Sequence, residues 1–216
     1  MGFERFMEER LFNPLGMKSA TYSWRPDVGA RLVSGHDGGQ ARPSFSKDLG
    51  SKLLEVAAKQ NKPLAAFTHE DLVVAIQSMT PAPPTLPNFM IPNAAGSLLT
   101  TPTDYGAFLV ELLDDRNPQI DLKPATRTAM RTQQSRINRA LGWGLGIGIE
   151  HQPDMTGDAN FLWHWGDNGQ WKNFVLAHTA TKSAIVVFTN GSRGINVCQR
   201  VITAATGQPH VAFLWL

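Results

Sequence analysis

Two alternating apolar runs, Phe161–Trp165 and Trp171–His178, lie on either side of the short polar stretch Gly166-Asp167-Asn168-Gly169-Gln170. Period-two alternation sends successive side chains to opposite faces of a strand. Each run therefore reads as a strand with one buried face. A third run, Ala184–Thr189, follows the segment Thr179–Ser183, which reads as a hairpin turn. Strands joined this closely pair antiparallel, because a parallel crossover needs a dozen residues or more. Upstream, Gly142, Gly144, Gly146 and Gly148 alternate with Trp143, Leu145, Ile147 and Ile149. The same period predicts one more strand there, with one apolar and one bare face. Bare glycine faces often mark close approach of another backbone or a ligand. The glycines never match G-x-G-x-x-G, so a dinucleotide site is not indicated.

The rest of the chain reads as helix and loop. Phe3, Phe6, Met7 and Leu11 share one face of a predicted helix that Asn13-Pro14 ends. Ser34–Lys47 is rich in Gly, Ser, Asp and Pro and reads as loop, with His36-Asp37 as a solvated turn. Helix-like pieces follow at Ser51–Gln60 and His69–Met79, the second capped by Thr68 with Asp71 three residues on. Pro81–Pro92 holds five prolines in twelve residues and reads as a connector. The small-residue turn Asn93-Ala94-Ala95-Gly96-Ser97 comes next. Thr101-Pro102-Thr103-Asp104 is a strong helix start, predicting a helix to about Asp115 with Phe108, Leu109, Leu112 and Leu113 buried. Short helices are predicted at Ala125–Gln133 and, closing the chain, from Arg193 to Thr206, where Gly207 and Pro209 end it. Helices followed by hairpin-linked strands predict an α+β domain, an antiparallel sheet of C-terminal strands flanked by helices.

Composition narrows the function. With 42% apolar and 18% charged residues, the chain is globular in type. The 20 basic residues are scattered and the net charge is +2, which argues against a nucleic-acid groove. Cys198 is the single cysteine, so no internal disulfide or cysteine-based zinc site forms. The six histidines lack ligand spacing, and no metal is predicted. No apolar run approaches the roughly 20 residues of a membrane span, and the N-terminus does not read as a secretory signal.

His164-Trp165-Gly166 resembles the third signature of serine β-lactamases and penicillin-binding proteins, Lys-Thr-Gly or His-x-Gly. Other elements fall in the matching order. Asn13-Pro-Leu-Gly-Met17 follows a helix, Asn93–Leu98 precedes a capped helix, Gly142–Ile149 precedes the histidine strand, and Val186–Asn190 closes a hairpin before the last helix. Together they resemble the C-terminal half of class C β-lactamase-like serine hydrolases, a family of β-lactamases, D-alanyl-D-alanine peptidases and esterases. The resemblance covers nearly the whole chain, with 34–81 as a variable insertion, 140–190 as the active-site strands and 193–206 as the C-terminal helix.

The resemblance implies roles. His164 takes the place of the family's Lys or His on the strand lining the active site, as a hydrogen-bond donor and proton carrier. Gly166 lets substrate lie against the strand. The Asp167 N–H falls where the family places an oxyanion-hole donor, worth about 3 kcal/mol in comparable sites. Trp165, Asn168, Asn93 and Gly96 fall on the substrate-binding wall. Trp165 replaces a small or hydroxyl residue, which favours ester or peptide substrates over β-lactams. No cofactor is implied, and family members are often periplasmic or secreted.

In that family the Pro-Leu-Gly-Met helix follows both the S-x-x-K nucleophile helix and the Tyr-x-Asn loop. The resemblance therefore implies a chain lacking the N-terminal half of the domain and inactive alone. Ser44-Phe45-Ser46-Lys47 does match S-x-x-K, but Pro43 precedes it and Asp48-Leu49-Gly50 should end a helix there, so it reads as a chance match. Tyr-x-Asn and Ser-x-Asn are absent, since Tyr22 and Tyr105 lead to Trp24 and Ala107. The small-molecule or peptide substrate then belongs to the complete protein. Two alternatives stand beside this one: a non-catalytic binding or assembly module, forming homo-oligomers or pairing with the missing half, and a small hydrolase using Ser44 and Lys47.

Overall fold

The computed structural model describes residues 2–22, 26–41, 45–67, 71, 74, 77–78, 92–151 and 160–216. The chain opens with α1 (Phe3–Met7), which continues as a π-helical turn at Glu8–Phe12. The wider turn advances the chain by five residues per hydrogen bond, as in Asn13 N–H to Glu8 O (2.9 Å) and Met17 N–H to Phe12 O (2.8 Å). This rotates Phe12 into the core, where it stacks on Tyr22 at 5.7 Å. Phe3 and Phe6, on the predicted apolar face, are exposed. A single short helix, α2 (Pro26–Gly29), comes next.

The predicted loop at 34–47 is partly ordered structure. Strands β1 (His36–Asp37) and β2 (Gln40–Ala41) form a hairpin whose two turn residues, Gly38 and Gly39, both have positive φ. His36-Asp37 is no solvated turn. His36 N–H donates to Asn190 O (2.7 Å), His36 O accepts from Ser192 N–H (3.0 Å), and Ser192 Oγ reaches Asp37 Oδ1 (3.1 Å). Helix α3 (Phe45–Lys59) starts earlier than the sequence suggested and runs through Asp48-Leu49-Gly50. Leu53 and Ala57, one turn apart and buried, anchor it. Lys47 thus sits in the first turn of a helix, whereas Ser44 lies outside the described residues, as do Thr68 and most of the predicted helix at 69–79.

Helix α4 (Pro102–Leu113) begins as its sequence dictates: Thr101 Oγ1 accepts from Asp104 N–H (3.2 Å), with proline at the first helical position. Helix α5 (Pro124–Arg131) follows. A six-stranded antiparallel sheet then runs in strict sequence order: β3 (Ser135–Arg136), β4 (Leu141–Trp143), β5 (Gly148–His151), β6 (Asn160–Asn168), β7 (Trp171–His178) and β8 (Ser183–Thr189). The glycine-alternating stretch is not one strand. It folds back between Trp143 and Gly148, with Gly146 at φ +74° and Gly144 N–H bonded to Ile147 O (2.8 Å). Alternation cannot distinguish a strand from a tight hairpin when glycine supplies the left-handed residue.

The sheet divides two cores. On one face α4 packs Leu112 and Leu113 against Ile147, Ile149, Leu162 and Ala177. On the other, α6 (Gly194–Thr206) packs Cys198 and Ile202 against Leu141, Trp163, Phe174 and Leu176. Burying each side chain of the leucine class contributes about 1.5–3 kcal/mol. Gly207, at φ +74°, ends α6 as predicted. Gly194 must be glycine, because a Cβ there would lie 1.6 Å from Thr189 Oγ1.

Candidate active site

Residues 164–168 form the far half of β6, and they stand on an open edge. Strand β5 pairs with β6 only from Gly148↔Trp163 to His151↔Asn160. Beyond Trp163 the chain of β5 has turned away, and among the described residues positions 164–168 pair only with β7.

Register decides which backbone groups face that edge. The β6–β7 hairpin has a two-residue loop, Gly169-Gln170, with Asn168 opposite Trp171. Gly169 has φ +69°, the glycine-first pattern of a type II′ turn. Such a hairpin closes on a hydrogen-bonded pair, and bonded and open pairs alternate from there. Gly166 and Asn173 therefore bond to each other, while Trp165 and Asp167 turn their N–H and C=O groups outward. The partner strand agrees: the Lys172 carbonyl, opposite Asp167, accepts from Thr189 Oγ1 (2.6 Å) on the β8 side.

The side chains alternate in the same way. Leu162, His164, Gly166 and Asn168 face the α4 side, and Trp163, Trp165 and Asp167 face the α6 side. His164 is half-buried, and its Nδ1 lies 2.9 Å from the Trp165 carbonyl oxygen. A carbonyl can only accept, so Nδ1 carries the proton and the neutral ring keeps Nε2 as a bare acceptor. The ring leans over the open edge, 5.8 Å from Trp143 and stacked on Trp165 at 5.5 Å.

Asp167 divides its roles. Its carboxylate pairs with the Lys172 ammonium on the α6 face. That leaves its outward N–H as the group it offers at the edge. Trp165, expected on the substrate wall, enters differently. Its indole belongs to a tryptophan cluster on the α6 side, 5.8 Å from Trp163, 5.9 Å from Trp143 and 5.1 Å from Trp215. It backs the His164 ring and does not lie over Gly166, because neighbouring positions of a strand face opposite ways. The C-terminal segment completes this wall. His210 Nδ1 and Glu150 Oε1, both buried, meet at 3.0 Å, and Glu150 Oε2 accepts from Ala212 N–H (3.0 Å). That clamp holds Trp215 against the cluster.

The 93–97 turn is brought to the same place. Asn93 Oδ1 accepts from Ala95 N–H (3.0 Å) and Gly96 N–H (2.9 Å), a self-closed Asx turn. Ser97 Oγ and the Asn93 main chain close it further, at 2.7 and 2.8 Å. Asn168 Nδ2 reaches Gly96 O at 3.5 Å across 72 positions of sequence. His164, Gly166, Asn168 and the Asn93–Gly96 turn therefore share one side of the sheet. Asn93's side chain spends its oxygen on the turn, which shapes the wall.

Asn173 was not singled out by the sequence reading. It stands opposite Gly166 on the same face, and its Nδ2 is 3.4 Å from where a Gly166 Cβ would sit. Its signal was countable: a two-residue loop at Gly169-Gln170 fixes the pairing. Among the described residues no metal-binding group of side chains occurs, and no helix is long and apolar enough to cross a membrane.

No curated protein matches the chain. Among solved structures it is similar to the octameric penicillin-binding protein homologue from Pyrococcus abyssi, with a TM-score of 0.59 and 15% identity. The match covers 97% of this chain and 39% of that one, so the chain spans well under half of that protein's length. At that identity the likeness is one of fold: an antiparallel sheet with helices, similar to the penicillin-binding and β-lactamase arrangement. A model of the Beta-lactamase family matches residues 1–201. With the match extending over all but the last turn of α6 and the C-terminal segment, the chain belongs to the beta-lactamase family.

Proposed function

We propose that the open edge of β6 is one wall of an acyl-transfer site, in which a serine hydrolase of this family hydrolyses an ester, a D-amino-acid peptide or a β-lactam. The observation that carries this is the outward Asp167 N–H on an unpaired edge, one residue beyond Gly166 and three beyond His164. A carbonyl oxygen seated there develops negative charge as a nucleophile attacks, and a fixed N–H stabilises the charge without reorganising. Gly166 leaves its face bare for the substrate. His164 Nε2 is a proton acceptor at the same edge, held in one tautomer by the Trp165 carbonyl. The tryptophan wall behind His164 excludes water from one side, which strengthens each polar contact.

This is half of a site. The nucleophilic serine, its lysine and the tyrosine of the family pattern belong to elements that precede the Pro-Leu-Gly-Met helix in family members. The Ser44–Lys47 match is the one local substitute. An oxyanion donor without a nucleophile leaves little catalysis. The expected result is therefore that the 216-residue chain turns over nitrocefin and p-nitrophenyl acetate no faster than the blank. Turnover abolished by Ser44→Ala would place the nucleophile on this chain instead. A titration with N-acetyl-D-alaninamide, followed by amide NMR, tests the wall itself. The Asp167 N–H should be among the most shifted signals; no response along residues 164–168 would sink the assignment.

A second reading is favoured by another edge. Among the described residues β8 pairs only with β7, leaving the outer side of Ser183–Thr189 without a strand partner. An open edge invites strand addition. The similar Pyrococcus abyssi protein is an octamer. An assembly module, self-associating or paired with the other half of the domain, fits that edge. A monodisperse monomer in light scattering would count against self-association.

A further inference from the structure

We infer that the Asn173 side chain is a specificity-determining hydrogen-bond donor, which receives an uncharged carbonyl oxygen of a substrate lying across Gly166. This rests on the reading of the β6 edge given above and extends it to the class of group recognised.

The argument starts from the orientation of the amide. Asn173 Oδ1 accepts from the backbone N–H of Thr189 at 3.3 Å. That partner can only donate, so the oxygen must face it and the NH2 group must face the other way. Thr189 stands opposite Lys172, whose carbonyl accepts from the Thr189 hydroxyl. Lys172↔Thr189 is the last pair of the β7–β8 ladder, and the Thr189 N–H contact orients the Asn173 amide.

The direction of the NH2 group follows. Gly166 and Asn173 are directly opposed in the register, so both face the α4 side, with His164 and Asn168. Nδ2 lies 3.4 Å from the position of a Gly166 Cβ, close over the bare strand. No hydrogen-bond partner of Nδ2 occurs among the described residues. A donor held rigidly by its other end, beside a position that has no side chain, is arranged to meet an acceptor arriving from outside.

The chemistry selects the acceptor. A neutral amide NH2 suits a neutral carbonyl. A carboxylate is better met by an ammonium or guanidinium, and the Lys172 ammonium, on the neighbouring residue, is on the opposite face and paired with Asp167. The group recognised is thus the carbonyl of an amide or ester, placed one strand inward from the Asp167 N–H. Two donors then address two different oxygens of one substrate.

The test is a titration of the uniformly 15N-labelled chain with N-acetyl-D-alaninamide, an uncharged probe with two carbonyls. The expected result is that the Asn173 side-chain NH2 pair shifts together with the Asp167 amide. Asp167 shifting while the Asn173 pair stays still overturns this inference and leaves the proposed site standing. Silence at both overturns the two together. Asn173→Asp adds a second readout, because a carboxylate still accepts from Thr189 N–H but has no NH2 to donate. It should unfold at the same denaturant concentration as the parent chain and bind the probe about fivefold more weakly, the effect of one neutral hydrogen bond. Binding unchanged in this variant would show that the amide serves only to tie β7 to Thr189.

Discussion

The imidazole of His164 donates from Nδ1 to the carbonyl oxygen of Trp165, its own neighbour, across 2.9 Å. The contact is possible because β5 has left the sheet at that point, so the outward carbonyl of Trp165 is available to a side chain curling over the edge. It fixes the ring and its tautomer together. Long-range 1H–15N spectra of the neutral ring should show the Nδ1–H tautomer for His164. An Nε2–H pattern would mean that the ring is not held as described.

Gly144 is a packing requirement. A Cβ there would lie 2.0 Å from the Met130 carbonyl oxygen, a backbone atom that cannot swing aside. Gly144→Ala should destabilise the chain by about 1–3 kcal/mol through overpacking. Gly106, inside α4, has open space where its Cβ would be. Gly106→Ala should stabilise by up to about 1 kcal/mol, because alanine restricts the unfolded chain. Urea unfolding of both variants checks the opposite signs.

Helices α4 and α5 are joined by a buried ion pair. Arg127 Nη2 lies 2.5 Å from Glu111 Oε1, each side chain 4% exposed, and Gln119 N–H donates to Glu111 Oε2 at 3.0 Å. Glu111→Ala removes the guanidinium's close carboxylate partner, leaving Asp115 at 3.6 Å and the Glu111 carbonyl, and should cost about 3 kcal/mol. Replacing both partners, as Glu111→Leu with Arg127→Met, should recover most of that loss. Equal destabilisation in the single and double variants, by chemical denaturation, would contradict this account.

His178 predicts a pH dependence. Burial of the ring, and then the charge of His210, pull its pKa below the ordinary imidazole value. Among the described residues Nε2 is buried without a partner, while Nδ1 contacts Thr181 Oγ1 at 2.8 Å. The folded state therefore takes up this proton less readily than the unfolded one. The sign follows: stability from this residue is intact above about pH 6.5 and is lost as the pH falls toward the lowered value. His178→Phe keeps the stack on Phe161, now 4.5 Å away, and should be less sensitive to acid. Urea midpoints at pH 5 and 7.5 give the comparison; parallel losses in parent and variant would remove His178 as the cause.

Much of the architecture was legible in the residues. The Thr101 cap, the strand Trp171–His178, the Thr179–Ser183 turn and the Gly207 stop are local signals, each written within a few positions. Each motif of the family pattern was also local, His164-Trp165-Gly166 lying on one hairpin, and their order along the chain carried the resemblance. The errors came where local signals are degenerate. Glycine alternation at 142–149 fits both a strand and a hairpin, and only Gly146 in the left-handed region separates them. The first helix looked regular until its π turn brought Phe12, not Phe3 or Phe6, into the core.

What the sequence determined by itself was the longer helices and strands of the C-terminal half, their order and the hairpin that carries His164, because turn chemistry and period-two alternation act over a few residues. The tertiary structure decided which edge of that hairpin is open, which groups face it and what stands behind it. The pairing of Asn168 with Gly96, of His210 with Glu150, and of the Asn173 amide with Thr189 N–H joins positions that no local rule connects. For His210 and Glu150 burial supplied the reason: polar groups removed from water must find partners wherever the packed chain places them.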